Sequence, residues 1–110
     1  MIKMTGSEFI ELGEKYGCPP YYEDECWYLL MPDDKNHWMA YCVEDEERNI
    51  KFFACCTEFK YDENWKRVKG EKSELFHDDK SFKMQFRKAC IDYKKAKNDY
   101  QLELIAKDFK

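Results

Sequence analysis

"ECWYLLMPDDKNHWMAYCV", residues 25–43, decides the fold. From Glu25 to Met31, and again from His37 to Val43, nearly every residue is aromatic, aliphatic or Cys. Between the runs lies "PDDKN", residues 32–36. It joins a proline with fixed φ to Asp and Asn side chains that bond their own backbone, which is turn chemistry. Two β-prone runs around such a break predict an antiparallel hairpin.

The same logic extends in both directions. "EDEERN" at 44–49 is a second polar break, and a third strand is expected from Ile50 to about Phe59. A weaker fourth is expected in "WKRVK", Trp65 to Lys69. Before the hairpin, Thr5 followed by Glu8 forms a capping box, and Phe9, Leu12 and Tyr16 make an apolar stripe at helical spacing. Gly17 and Pro19-Pro20 end that helix. After the strands, Asp78 or Asp79 caps a helix whose Phe82, Phe86, Ala89, Cys90, Tyr93, Ala96 and Tyr100 fall in one sector. Residues 100–106, "YQLELIA", fit a strand as well as they fit a continuation of that helix. The predicted fold is α+β: an N-terminal helix, a three- to four-stranded antiparallel β-meander, and a long C-terminal helix packed on the sheet. With 110 residues, the chain has room for one compact domain, 1–110.

Closing the first turn with Met31 opposite His37 places Leu30 against Trp38, Tyr28 against Ala40 and Cys26 against Cys42. A five-residue second turn then makes one uncharged face of Cys26, Tyr28, Leu30, Trp38, Ala40, Cys42, Ile50, Phe52, Ala54 and Cys56, which is expected to be core. The other face, with Trp27, Leu29, Met39, Tyr41 and Phe53, is too apolar for the wet side of an antiparallel sheet. Either the two helices take one face each, or both cover the first and leave those five residues as a docking surface. One more residue in the second turn would exchange the faces of the third strand.

Charge is divided along the chain. Residues 1–47 hold three lysines against twelve acids, and residues 48–110 hold sixteen Lys and Arg against eleven acids, so the net of −4 conceals halves of −9 and +5. A meander brings the start of its first strand to the same end as its second turn. Glu23, Asp24 and Glu25 are therefore expected beside Glu44, Asp45, Glu46 and Glu47, as an acidic pole for a partner protein with a basic surface.

Other chemistries find less support. The six cysteines, Cys18, Cys26, Cys42, Cys55, Cys56 and Cys90, contain no C-x-x-C pair, and the acidic stretches lack the alternation and glycine of a calcium loop. No metal or cofactor is therefore expected. Cys55 or Cys56 opposite His37 is the only nucleophile-and-base pairing in reach, no catalytic motif accompanies it, and no catalytic residue is assigned. Lys80, Lys83, Arg87 and Lys94 line one side of the second helix, but the negative net charge argues against direct nucleic-acid binding. The absence of a signal-like or bilayer-spanning apolar run predicts a cytoplasmic protein without membrane contact.

The expected function is that of a non-enzymatic protein-binding module. It would be a small acidic stoichiometric inhibitor, the phage-encoded kind included, that blocks a nucleic-acid-binding or defence protein through its acidic pole and aromatic face. The alternative is a small-ligand or nucleotide-binding protein, in which a homodimer completes a pocket with the second sheet face.

Overall fold

The computed structural model describes residues 2–108, with side chains described as far as residue 99. In chain order the elements are α1 (Gly6–Lys15), β1 (Pro20–Glu23), β2 (Cys26–Met31), β3 (Asp34–Glu44), β4 (Ile50–Asp62), β5 (Arg67–Phe76) and α2 (Asp79–Asp108). The strands form one antiparallel sheet in the order β1-β2-β3-β4-β5. The fold is thus α+β as expected, with five strands rather than three or four.

Local chemistry sets the helix boundaries. Thr5 Oγ1 accepts the Glu8 N–H at 3.2 Å while Glu8 Oε1 accepts the Thr5 N–H at 3.2 Å, the reciprocal bonds of a capping box. Just beyond α1, Gly17 takes a left-handed φ of +78°, which lets the chain turn sharply into the sheet. Asp78 caps α2, its carboxylate accepting the Ser81 N–H at 2.8 Å. That bond holds the Asp78 carboxyl below its usual range. Asp79 instead reaches back to accept the N–H groups of Lys3 at 2.8 Å and Met4 at 3.2 Å, tying the start of the chain to the start of α2. α2 runs unbroken through residues 100–106, so that stretch is helix and not strand.

Both helices lie on one face of the sheet. Phe9 of α1 and Phe82 of α2 both stack on Phe53 of β4, with ring centroids 6.1 and 4.1 Å away, and Phe86 meets Tyr16 edge-on. A Cβ on Gly13 would sit 2.4 Å from Leu29 Cδ2, so the glycine is what lets α1 approach β2 this closely. The covered face consists of two rows that cross the strands. Tyr22, Trp27, Cys42, Phe53 and Phe76 form one, and Pro20, Leu29, Ala40, Cys55 and Glu74 form the other.

The register corrects the expected faces. Leu30 does pair with Trp38, but Met39 is then accommodated as a bulge, and from there Leu29 pairs with Ala40, Tyr28 with Tyr41 and Trp27 with Cys42. That one extra residue sends Trp38 and Ala40 to opposite faces and reverses the faces of β2. Between β3 and β4 the pairs are Tyr41 with Ala54, Cys42 with Phe53 and Val43 with Phe52, which turns β4 over as well. Leu29, Met39 and Phe53 are therefore fully buried in the core, and Trp27 is half-buried on the helix side; none of the four belongs to an exposed aromatic face. Of the five residues expected there, Tyr41 alone lies on the uncovered side.

Two further differences have local causes. β1 pairs with β2 through a two-residue turn in which Asp24 and Glu25 have φ of +51° and +62°, a conformation usually marked by Asn-Gly or Asp-Gly. Without that marker the strand is not legible in the sequence. β5 extends from Arg67 to Phe76, well past the expected Lys69, because its charged residues occupy a sheet edge and pair across it, Lys72 with Glu58 at 3.6 Å and Lys69 with Asp62 at 3.7 Å. Trp65 is not in a strand but in the turn between β4 and β5, 76% exposed.

Candidate functional site

The uncovered face is the most distinctive surface of the molecule. Its central row crosses all five strands: Tyr21, Tyr28, Tyr41, Ala54 and Leu75. Beside it run Glu23, Cys26, Val43 and Phe52 on one side and Leu30, Trp38, Cys56 and Ser73 on the other. The rings form a ladder, Tyr21 to Tyr28 at 6.2 Å, Tyr28 to Tyr41 at 5.6 Å, and Tyr41 edge-on to Trp38 at 4.9 Å. Tyr21 and Leu75 are exposed, and Tyr28, Leu30, Trp38, Tyr41, Val43 and Phe52 are half-buried by one another rather than by a helix. Among these, only Tyr41 was expected as a contact residue. The bulge at Met39 leaves no mark in the sequence that would have moved the others to this side.

One end of this face is the acidic pole. The Glu44 N–H donates to the Glu25 carbonyl at 3.0 Å, so the β1–β2 turn and the β3–β4 turn adjoin, as the meander implied. The seven acids do not share one role. Glu44 is only 5% exposed, and its carboxylate lies beside the start of α1, where a Cβ on Gly6 would be 3.3 Å from Glu44 Oε2. A carboxylate there complements the positive end of the helix, so Glu44 is a structural member of the group. Asp45 uses its carboxylate to accept the N–H groups of Glu47 and Asn49, each at 2.9 Å, holding the turn closed. Glu23, Asp24, Glu25, Glu46 and Glu47 remain exposed to solvent. The Tyr21 hydroxyl donates to Glu23 at 3.0 Å, and that bond, with the nearby negative charge, raises the phenol above its ordinary pKa.

The opposite end opens into a cleft between the β2–β3 and β4–β5 hairpins, about 330 Å³ in volume. Met31, Trp38 and Cys56 line it together with His37, Arg67, Lys69, Lys72 and Ser73. Asp34 organises this end: its Oδ2 meets His37 Nδ1 at 2.9 Å and accepts from Arg67 Nη1 at 3.1 Å, and its Oδ1 accepts the Asn36 N–H at 3.1 Å. Partial burial, the largest single influence, pushes the Asp34 carboxyl up. The bonds from His37 and Asn36 and the Arg67 charge outweigh it, and the net shift is downward.

The thiol–histidine pairing does not form across the strands. Cys55 pairs with Ala40, beyond which β3 and β4 part, and His37 is engaged by Asp34. Cys56 shares the cleft with His37, but burial raises its thiol to about 11 and pushes Cys55 higher still, far from the thiolate that nucleophilic attack needs. All six cysteines are free thiols. Among the described residues, no group of three or more His, Cys, Asp or Glu has metal-holding geometry, and no helix is long and apolar enough to cross a membrane. Lys80, Lys83, Arg87 and Lys94 all lie exposed on α2, with Met84 and Ile91 exposed among them. Comparison with protein-family models, with curated proteins and with solved structures found no match.

Proposed function

We propose that the protein is a non-enzymatic binding module that docks its acidic corner, and the tyrosine ladder beside it, against a basic surface of another protein. The observation that carries this reading is the bond from the Glu44 N–H to the Glu25 carbonyl, which gathers Glu23, Asp24, Glu25, Glu46 and Glu47 next to the uncovered rings. Clustered carboxylates speed encounter with a cationic partner and choose its orientation, while desolvated tyrosines supply contact area at small entropic cost. Acids presented this way can stand in for phosphates, so the partner we favour is one whose basic groove otherwise holds nucleic acid. Stoichiometric inhibition of a nuclease or other defence factor, the phage-encoded kind included, is the form this would take.

Small-ligand binding, the other class in view, would use the cleft. Its support is weaker, because each of its three permanent cations has a carboxylate within reach: Arg67 has Asp34, Lys69 has Asp62 and Glu71, and Lys72 has Glu58. Little uncompensated charge is left for an anion.

The test is capture from bacterial lysate at low and raised salt, with the wild-type chain and a variant carrying Glu23→Lys, Glu25→Lys, Glu46→Lys and Glu47→Lys as baits. The reading expects a captured protein that the variant loses, that salt releases, and whose nucleic-acid binding the wild-type chain competes away. Equal capture by both baits removes the acidic corner from the function.

A further inference from the structure

Three of the six thiols gather in the covered core, each from a different part of the chain: Cys18 from the loop after α1, Cys55 from β4 and Cys90 from α2. Local packing brings two of them into contact. Tyr16, two residues before Cys18, sets its ring edge-on to Phe86, one helical turn before Cys90, with centroids 5.7 Å apart. The Cys18 N–H donates to the Gly13 carbonyl at 2.8 Å, which folds the loop back onto the end of α1. With the loop held in this way, the side chains of Cys18 and Cys90 are hydrogen-bonded to each other. Cys55 is engaged elsewhere, its thiol donating to the Cys56 carbonyl at 3.5 Å.

The pair is asymmetric. The bond donated by Cys90 lowers the Cys18 thiol below its ordinary pKa against the opposing effect of burial, and the Lys94 ammonium, one helical turn beyond Cys90, adds to the lowering. Cys90 moves the other way, raised by the same bond and by burial, and so keeps the proton it donates. One sulfur is thus the better nucleophile, and the other lies in contact with it, ready to displace whatever that sulfur acquires. Although buried, the pair is shallow: Lys94 is exposed, and Gly17, next to Cys18, has open space where a side chain would be. Such an approach admits a small oxidant.

We propose that Cys18 and Cys90 are a peroxide-oxidisable pair whose disulfide ties the loop after α1 to α2. The Cys18 thiolate attacks one peroxide oxygen; the S–O bond forms, the O–O bond breaks, and the hydroxide released takes up the proton that Cys18 gave, leaving as water. The Cys90 sulfur then attacks the sulfur of the Cys18 sulfenic acid; the S–S bond forms as the S–O bond breaks, and the proton of Cys90 leaves with the hydroxyl as a second water. The two thiols lose two electrons, which reduce one peroxide to two waters. The loop closed by this bond contains all five strands, so the bond strongly restricts the unfolded chain. The pair shares no residue with the acidic corner or the open face, and it stands or falls apart from the proposed function.

The test exposes the reduced full chain to hydrogen peroxide in native buffer, alkylates it with N-ethylmaleimide under denaturing conditions, and weighs and maps the product. Expected is a chain with two fewer alkylated thiols, restored by dithiothreitol, whose peptide map joins Cys18 to Cys90. The oxidised chain should melt about 10 °C higher than the reduced one. Six alkylated thiols after exposure, a map that joins any other pair, or oxidation that ends at sulfinic acid overturns the proposal, and none of these outcomes depends on a variant that must fold. The order of attack is read from two variants. Cys90→Ser should leave a sulfenic acid on Cys18 that dimedone traps. Lys94→Gln, a change at an exposed residue, should slow disulfide formation severalfold with the melting temperature of the reduced chain unchanged, because the cation that favours the Cys18 thiolate is gone. Equal rates in Lys94→Gln and wild type, or a dimedone adduct at any cysteine but Cys18 in Cys90→Ser, would remove Cys18 as the attacking sulfur.

Discussion

The two faces of this sheet are nearly equal in apolar content and opposite in fate. On the covered side Phe53 stacks with both Phe9 and Phe82, and it, Leu29, Ala40, Cys42 and Cys55 are all fully buried. On the open side the ladder is Tyr21, Tyr28, Tyr41 and Trp38. The difference is a polar handle: phenol and indole rings can remain in contact with water at one atom while packing along their faces, and Phe and Leu cannot. Counting apolar residues therefore misleads here. Three of the four rings in the open ladder carry a hydroxyl, whereas Phe9, Phe53, Phe82 and Phe86 at the centre of the covered side carry none.

Truncating one ring on each side should separate the two faces most clearly. Phe53→Ala should cost about 3–5 kcal/mol in urea unfolding, since it empties the place where both helices meet the sheet. Tyr28→Ala, measured at concentrations too low for association, should cost about 1 kcal/mol. Equal losses would mean that the open face is sealed after all. Next in size is Gly13→Ala. Its methyl would press on Leu29 Cδ2 at 2.4 Å and on the Cys18 carbonyl oxygen at 2.9 Å, so a loss of about 1–3 kcal/mol is expected although alanine is the better helix former. A gain in thermal stability from this change would contradict the close approach of α1 to β2.

Asp34→Asn probes the end of the open face away from the acids, with an expected loss of about 1–2 kcal/mol at neutral pH. Because the folded carboxyl titrates below the unfolded value of about 3.9, its contribution is complete above about pH 4 and disappears as pH falls through the folded pKa. The stability gap between wild type and variant should close in acid; a gap unchanged down to pH 2 would show that Asp34 acts through shape alone. Smallest of all, Ile91→Lys on the exposed side of α2 should change stability by less than about 0.5 kcal/mol. A larger loss would reveal a contact on that helix face.

How far the sequence could be read varied along the chain. The capping box at Thr5 and Glu8, the hairpin around Pro32, the third strand and the Asp78 cap were legible because each is specified by neighbours within a few residues. The union of the two acidic turns was legible too, since it follows from the topology of a meander. β1 was not, because Asp24-Glu25 adopts a left-handed turn without its usual residues. Nor was the role of Glu44, whose place beside Gly6 depends on where α1 comes to rest.

Helix α1, the start of α2, strands β2 to β4, their antiparallel order and the separation of charge all follow from composition, periodicity and short-range bonding along the chain. Tertiary structure decided which side of the sheet each residue faces. In a strand a single inserted residue inverts every side chain beyond it, and whether Met39 bulges is settled by how well the two possible faces pack beneath the helices. Phe53, stacked with Phe9 and Phe82, and Leu29, close against Gly13, lie inside, and Tyr21, Tyr28 and Tyr41 lie outside.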